Sequence, residues 1–435
     1  MKAMDQRETP YFNSIIDYAK EKPLRFHYPG HKGGLSLWDL TELPQTDNLF
    51  SPNGPLLKAQ ELAALAFGAD STYFLTNGTT QGIQAAFLTA FRRQDKVIVS
   101  RLSHRSIIEG IILSGVEPIF IDEDTDEWGI YRNIRIEKVQ DIKGAKGIVI
   151  TNPNYFGLVP DIKEIVEWAH KEGLVVVGDE AHGAHLHFNK KFPYSGVDIG
   201  ADITIQSMHK MGISLTPGAL LHLKGDRIDR NTLEENIQLL STTSPSTLVL
   251  ASIDIGRKLL SLYGKEILDR LLSLIDELES GLKEKGFSLY IYPNRDKTKL
   301  LLYRLNGEEL NKTLWRDFRV QAEFYSSTYC LFIISLLDTE ETIEKLYKVL
   351  RNIEVSPPKV INRIPEYKLG ILPWEAYFSS KERKKTIDAV GRISGEIVTQ
   401  YPPGVPIIIP GAIVTPEIRD YLLWIGRDYI NVTLH

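Results

Sequence analysis

A chain of 435 residues, 43% hydrophobic and 25% charged, has the makeup of a soluble globular protein of two to three domains. A net charge of −5 lacks the basic excess that nucleic-acid binding requires, and the one cysteine, Cys330, excludes an internal disulfide or a cysteine-based zinc site. No run approaches the ~18 apolar residues of a membrane span, and MKAMDQRETPYF has no apolar core to act as a signal peptide, so a cytoplasmic protein handling small molecules or copies of itself is expected.

Residues 1–55 are rich in Pro, Gly and His (HYPGHKGG, FSPNGP), with one helix expected over Tyr11–Ala19. Such a segment reads as an arm that wraps the main domain or a neighbouring subunit. From Ala59 onward, strand-like runs recur at Tyr73–Leu75, Val97–Val99, Ile119–Ile121, Gly147–Ile150, Leu174–Val177, Ile203–Ile205 and Ala219–Leu223. Between them lie helical patterns such as Gly82–Phe91 and Ile162–His170. The alternation predicts an α/β large domain over residues 56–286 with a mostly parallel sheet of seven strands. It closes with a helical stretch, Leu248–Lys285, in which Gly256 and Gly264 are expected breaks. Residues 287–435 predict a smaller α+β domain, with strands at Leu300–Leu305 and Leu331–Ser335 and helices at Thr342–Arg351 and Thr386–Thr399.

Four segments leave strands and carry chemistry. Thr76–Gly82 (TNGTTQG) opens a helix, and its backbone N–H groups, with Gly78, Thr79 and Thr80, make a cradle for a phosphate. The competing reading is an ordinary helix cap by Asn77 or Thr79. Because it lacks the lysine of a P-loop and the spacing of a dinucleotide fingerprint, nucleotide binding is disfavoured. In Val175–His185 (VVVGDEAHGAH), Asp179 falls at a strand's carboxyl end, where ligands of open α/β sheets sit. A carboxylate there can pair with a protonated pyridine nitrogen; Ala181 is small enough to lie under a flat ring, and His182 can bond the ring oxygen or the substrate. Asp179, His182, His185 and His187 are also a ligand set for zinc or iron, but strand alternation unites only His185 and His187, so no metal is expected. His104 follows a strand and begins a helix, as either a capping residue or one that stacks on a ring and moves a proton. Lys210, after Ser207 and His209 in SMHK, suits a lysine that forms a Schiff base with a phosphorylated aldehyde, Ser207 and His209 holding the phosphate. A lone lysine there is otherwise a solvated one.

Taken together the segments resemble the fold type I (aspartate-aminotransferase-like) pyridoxal-phosphate enzymes, and among them the ornithine/lysine/arginine decarboxylases in their short form, without the extra N-terminal domain. The lysine and aspartate motifs are shared across fold type I; PGHKGG, TTSPS and YPPG are narrower. The resemblance implies pyridoxal 5'-phosphate on Lys210, Asp179 on the pyridine nitrogen, His104 stacked on the ring, and Thr79, Thr80, Ser207 and His209 around the phosphate. It implies a homodimer or higher oligomer whose TTSPS segment, Thr242 and Thr243, reaches the partner's cofactor. The expected reaction is decarboxylation of lysine, arginine or ornithine, with Glu375 a candidate partner for the distal cation. Rival readings are an aminotransferase, a carbon–sulfur lyase, or a cofactor-binding protein without turnover. Three departures stand out: Ser103 and Arg105 flank His104 where the family has cysteine and lysine, and Ala412 replaces a usual glutamate.

Overall fold

The computed structural model describes residues 4–359, 363–400 and 403–434, so Tyr401 and Pro402 of the YPPG motif lie outside the described residues. The arm contributes helix α1 (Pro10–Lys20), and α2 (Pro55–Phe67) leads into the first strand. Seven strands follow: β1 (Ser71–Leu75), β2 (Lys96–Ser100), β3 (Glu117–Ile121), β4 (Gly147–Thr151), β5 (Val175–Glu180), β6 (Ile203–Ser207) and β7 (Ala219–Leu223). Their spatial order is β1-β7-β6-β5-β4-β2-β3, and all run parallel except β7, which is antiparallel to both neighbours. Runs such as GIVIT and ALLHL are buried almost throughout, as strands covered on both faces must be. The covers include α3 (Gly78–Ala90), α4 (Arg105–Ser114), α5 (Ile162–Lys171) and α6 (Arg230–Leu239). In α5 the apolar Ile162, Ile165, Val166 and Ala169 are buried, the stripe that sequence periodicity marks.

Helix α7 (Thr247–Glu284) runs for 38 residues without interruption, so neither Gly256 nor Gly264 is a break. Both are sites of close approach instead. A Cβ on Gly256 would lie 1.9 Å from the carbonyl oxygen of Ile213, and one on Gly264 would lie 3.0 Å from Phe188 Cβ. Gly256 lets α7 pack under the loop that follows Lys210, and Gly264 lets it pack against Phe188 beyond β5.

Beyond α7, strands β8 (Ser288–Leu289), β9 (Lys299–Tyr303), β10 (Phe324–Tyr325) and β11 (Tyr329–Ile333) form a second sheet in the order β10-β11-β9-β8. It is flanked by α8 (Gly307–Thr313) and α9 (Glu340–Leu350) and shares a core with α1 and α7. Residues from Tyr367 onward pack elsewhere: Ala389, Val398, Ile407–Ile409, Ala412 and Ile418 join Ile83, Phe87 and Ile107 of α3 and α4 in another core. The C-terminal stretch is therefore divided between two cores. The helix expected over Thr386–Thr399 does not form; a single 3-10 turn, Thr386–Asp388, gives way to irregular chain and a two-residue strand, Val398–Thr399. Gly391 in the left-handed region (φ 82°) and Gly395 interrupt any helix there. Among the described residues no helix is long and apolar enough to cross a membrane.

Candidate active site

The carboxyl ends of the parallel strands face one side, and the four chemistry-bearing segments meet there. β7 enters at that edge with Ala219, paired to both Leu75 and Ser207, which brings the head of α3 beside the end of β6. Ser207 Oγ lies 3.4 Å from Thr79 Oγ1. Gly78 opens α3 at φ 71°, a conformation that leaves the first N–H groups pointing outward, and Asn77 makes no side-chain cap to them. Those free donors, Thr79, Thr80 and Ser207 form an anion cradle. The alternative reading of Asn77 as the cap is not met.

His209 donates from Nδ1 to the carbonyl oxygen of Gly218 (3.0 Å), so its Nε2 can donate to an anion only in the doubly protonated ring. Burial lowers its affinity for that proton, and an anion in the cradle would restore it.

Asp179 is the penultimate residue of β5, next to β6, and is 2% exposed. Ala181 N–H donates to its Oδ1 at 3.1 Å; burial pushes its pKa up, a penalty that a cation placed opposite would cancel. Lys210 lies between these elements, exposed to solvent yet crowded by protein. Its amine sits 3.4 Å from His182 Nε2. Loss of hydration lowers the Lys210 pKa, as does the charge of Lys299, while Asp179 and Glu323 raise it. A lysine so placed offers a free amine more readily than a solvated one.

His182 is buried, its Nδ1 has no hydrogen-bond partner, and burial holds it well below the ordinary imidazole range. Its ring meets Tyr155 edge-on at 5.3 Å. His104 caps α4: Ser106 N–H donates to its Nδ1 at 3.2 Å, which leaves the ring hydrogen on Nε2. Burial, then the charges of Lys210 and Arg105, push its pKa down to about 4. Both histidines are neutral at pH 7.

The other imidazoles diverge. His185 bonds to Asp296 (3.1 Å) and His187 to Asp198 (2.6 Å), so the residues weighed as a metal cluster are committed to different partners.

Two expectations need correction or qualification. Glu375 does not join the site within the protomer. It lies exposed on α10 (Pro373–Phe378), where its Oε2 accepts from the N–H of Leu372 at the head of that helix. Its neighbour Trp374 stacks under Arg93, which precedes β2, so Glu375 sits toward the amino ends of the strands. Thr242 and Thr243 are exposed on the loop between α6 and α7.

The carboxylate that faces the site is Glu323, just ahead of β10. It is exposed, accepts a 2.7 Å hydrogen bond from Tyr155 Oη, and acts electrostatically on Lys210. Sequence reading passed over it because VQAEFYSS carries neither a strand-end position nor a motif. Ala412 is fully buried among apolar side chains, a setting in which an unpaired glutamate would be costly.

The chain matches the family model described as Orn/Lys/Arg decarboxylase, major domain, over residues 9–299, and the C-terminal domain model of the same family over 373–428. It is similar to an arginine decarboxylase of Bacillus subtilis, 34% identical over 96% of this chain and 94% of that one. It is also similar to the lysine decarboxylase LdcA of Pseudomonas aeruginosa, 25% identical over 57% of this chain and 39% of the other. The solved lysine decarboxylase LdcF of Francisella novicida superposes with a TM-score of 0.84 at 18% identity, covering 98% of this chain and 81% of that chain. An alanine–glyoxylate aminotransferase of Nostoc superposes at 0.56 over 68% of this chain and 85% of its own. The architecture is fold type I.

Proposed function

From the premise that this chain belongs to the Orn/Lys/Arg decarboxylase family, we infer that it is an amino acid decarboxylase that releases carbon dioxide from a basic amino acid with pyridoxal phosphate on Lys210. The observation that carries this is the convergence of Lys210, Asp179 and the Gly78–Thr80 cradle at one strand-end site. The residues fit that cofactor in three ways. The first turn of α3 offers donors to a phosphate, the burial of Asp179 calls for a cation opposite it, and the Lys210 side chain is exposed at the strand ends, 3.4 Å from His182 Nε2.

When bound, pyridoxal phosphate supplies an electron sink for the pair left behind as the carboxylate departs. Asp179 would keep the ring nitrogen protonated. Thr79, Thr80, Ser207, His209 and the first turn of α3 would hold the phosphate, and Ala181 and His104 would lie beside the ring. His182, neutral and 3.4 Å from the Lys210 amine, can accept a hydrogen bond from that amine and orient it. His104 carries hydrogen on Nε2, and with Lys210 it is one of the two groups placed to return a proton to the substrate's α-carbon. Glu323, oriented by Tyr155, receives the distal cation of the substrate in place of Glu375.

Among basic substrates arginine comes first, because the curated relatives that match this chain nearly end to end are named arginine decarboxylases. The exposed Thr242 and Thr243 and the exposed arm support a homodimer in which each chain completes its partner's site. The absence of a basic excess and of a membrane-spanning helix among the described residues supports a cytoplasmic location.

Offering arginine, lysine and ornithine singly and measuring carbon dioxide tests the reading. Carbon dioxide with an equal amount of amine is expected, and none from Lys210→Ala; a keto acid or ammonia without carbon dioxide would place the chain with the aminotransferases or lyases.

A further inference from the structure

Behind the floor of the site, and used by no step above, lies a second lysine. Lys299 opens β9 yet is 1% exposed, and Asp296 and Thr298 beside it are fully buried. Its Nζ stands 3.2 Å from Met211 Sδ, 3.4 Å from Thr298 Oγ1 and 3.5 Å from Asp296 Oδ2. Asp296 Oδ1 accepts from His185 Nε2 (3.1 Å), from Thr298 N–H (3.0 Å) and from Thr298 Oγ1 (2.7 Å). The segment thus grips three strand-end loops: the DEAHGAH loop through His185, the Lys210 loop through Met211, and the loop after β4 through a 2.8 Å bond from Asp296 N–H to the Gly157 carbonyl. Only glycine fits at 157. With φ at 83°, a Cβ there would lie 2.7 Å from Lys299 Cγ and 2.9 Å from the Asp296 carbonyl oxygen.

A buried ion pair is a poor device for holding loops together. Stripping water from two charges costs about what their attraction returns, and well-packed apolar residues in their place are often neutral or stabilising. What the pair offers beyond packing is a charge with a direction. Lys299 disfavours the charged forms of both Lys210 and His182, whereas Asp296 opposes it at His182 alone and more weakly. Lys299 Nζ touches Met211, the residue after Lys210, and Asp296 beside it opposes the burial that lowers Lys299's own hold on its proton.

We propose that Lys299 is a positioning residue of the Lys210 site: clamped by Asp296 and Thr298 and pressed on Met211, it fixes a positive charge behind the reacting amine and keeps that amine a free nucleophile. The other groups facing Lys210 are Asp179 and His182 from β5 and its loop, His104 at the head of α4, and Glu323 ahead of β10. Asp179 and Glu323 favour the ammonium; burial and Lys299 oppose them, Lys299 acting less strongly than Asp179.

The inference rests on Lys210 being the cofactor lysine, and its test is made on the apoprotein so that the two can fail separately. Trace reductive methylation is followed against pH, with Lys210 read by peptide mass. Because Lys299→Met alone strands a buried anion, the informative protein is the double variant Asp296→Asn/Lys299→Met. Its Lys210 is expected to label about three- to tenfold more slowly at a fixed pH below the midpoint, the effect of one nearby charge partly screened by solvent. Its melting temperature should stay near that of the wild type. Lys299→Arg, which keeps the charge, should retain the wild-type profile. A folded double variant with a wild-type profile would overturn the proposal; so would one that no longer folds, since the pair would then serve the fold. A wild-type Lys210 that titrates like a solvated lysine would instead count against the assignment of Lys210 itself.

Discussion

The floor of the Lys210 site and the outward face of the arm both carry motifs, broad ones on the floor and the narrower PGHKGG on the arm, yet they are built in opposite ways. On the floor, Asp179, His182, Ser207 and Met211 are buried, and neighbouring strands fix each of them. On the arm, α1 is tied down, with the buried Asp254 accepting from Tyr11 N–H (3.0 Å) and Arg257 donating to the Gln6 and Glu8 carbonyls. The segment that follows is not: Leu24, Phe26, Tyr28 and Leu35 are each at least 79% exposed, around the HYPGHKGG motif. So much apolar surface left in water marks a place that another surface covers. The floor is fixed by packing within the chain, whereas this stretch of the arm leaves its apolar side chains exposed.

The sharpest way to test the first half is to remove its centre. Lys210→Ala is expected to fold, to lose the visible absorption band of the bound cofactor, and to lose turnover by on the order of 10⁴-fold or more. Retained turnover would break the account.

Gly256→Ala probes how rigid the floor is. Its Cβ meets the backbone carbonyl of Ile213, which cannot swing aside like a side chain, so a loss of about 3 kcal/mol is expected in urea unfolding. Gly264→Ala, against Phe188 at 3.0 Å, should cost less. Equal costs would mean that α7 does not press on the Lys210 loop.

On the arm the pattern reverses. Phe26→Asp should change chain stability by no more than about 0.5 kcal/mol, because Phe26 is 94% exposed. It should nevertheless lower the mass seen in sedimentation and reduce activity about tenfold, as loss of a buried interface anchor does. Unchanged association would make the arm's exposure a property of the monomer.

A further effect is a dependence on pH. His222 lies between Thr72 and Gln206, and burial pushes it down to about 3. An unfolded imidazole takes up its proton near pH 6.5. Below that pH the unfolded chain binds a proton that the fold refuses, so this contribution is intact above about 6.5 and is lost as pH falls toward 3. It amounts to on the order of 2–3 kcal/mol by pH 4. His104, pushed down to about 4, acts with the same sign. His222→Gln should flatten the fall in melting temperature of the apoprotein below pH 6.5.

The same contrast explains what was legible in the sequence. Strands buried on both faces are written as β-branched runs, so all seven could be read, each within a few residues of its observed ends. Strand-end placement likewise made Lys210, Asp179, His104 and the TNGTT cradle visible. Glu323 and Tyr155 were not, because they meet from loops far apart in the chain. Lys299 reads as a surface lysine before an apolar run, and its burial follows only from the docking of β9 on Gly157. Gly256 was misread because a glycine that breaks a helix and one that admits a neighbouring carbonyl look alike in sequence. Glu375 could be read either as a partner for the distal cation or as an exposed carboxylate, because a carboxylate near a proline-opened helix says nothing about which end of the sheet it occupies.

The division of the site between two chains is tested most directly by complementation. Thr243→Asp, which sets a negative charge where a partner's phosphate is expected, and Lys210→Ala should each be nearly inactive alone. Mixed and allowed to exchange subunits, they should recover about a quarter of wild-type carbon dioxide release, since half the dimers are mixed and each of those holds one intact site. Exchange confirmed by mass, with no activity recovered, would contradict a site completed by the second subunit.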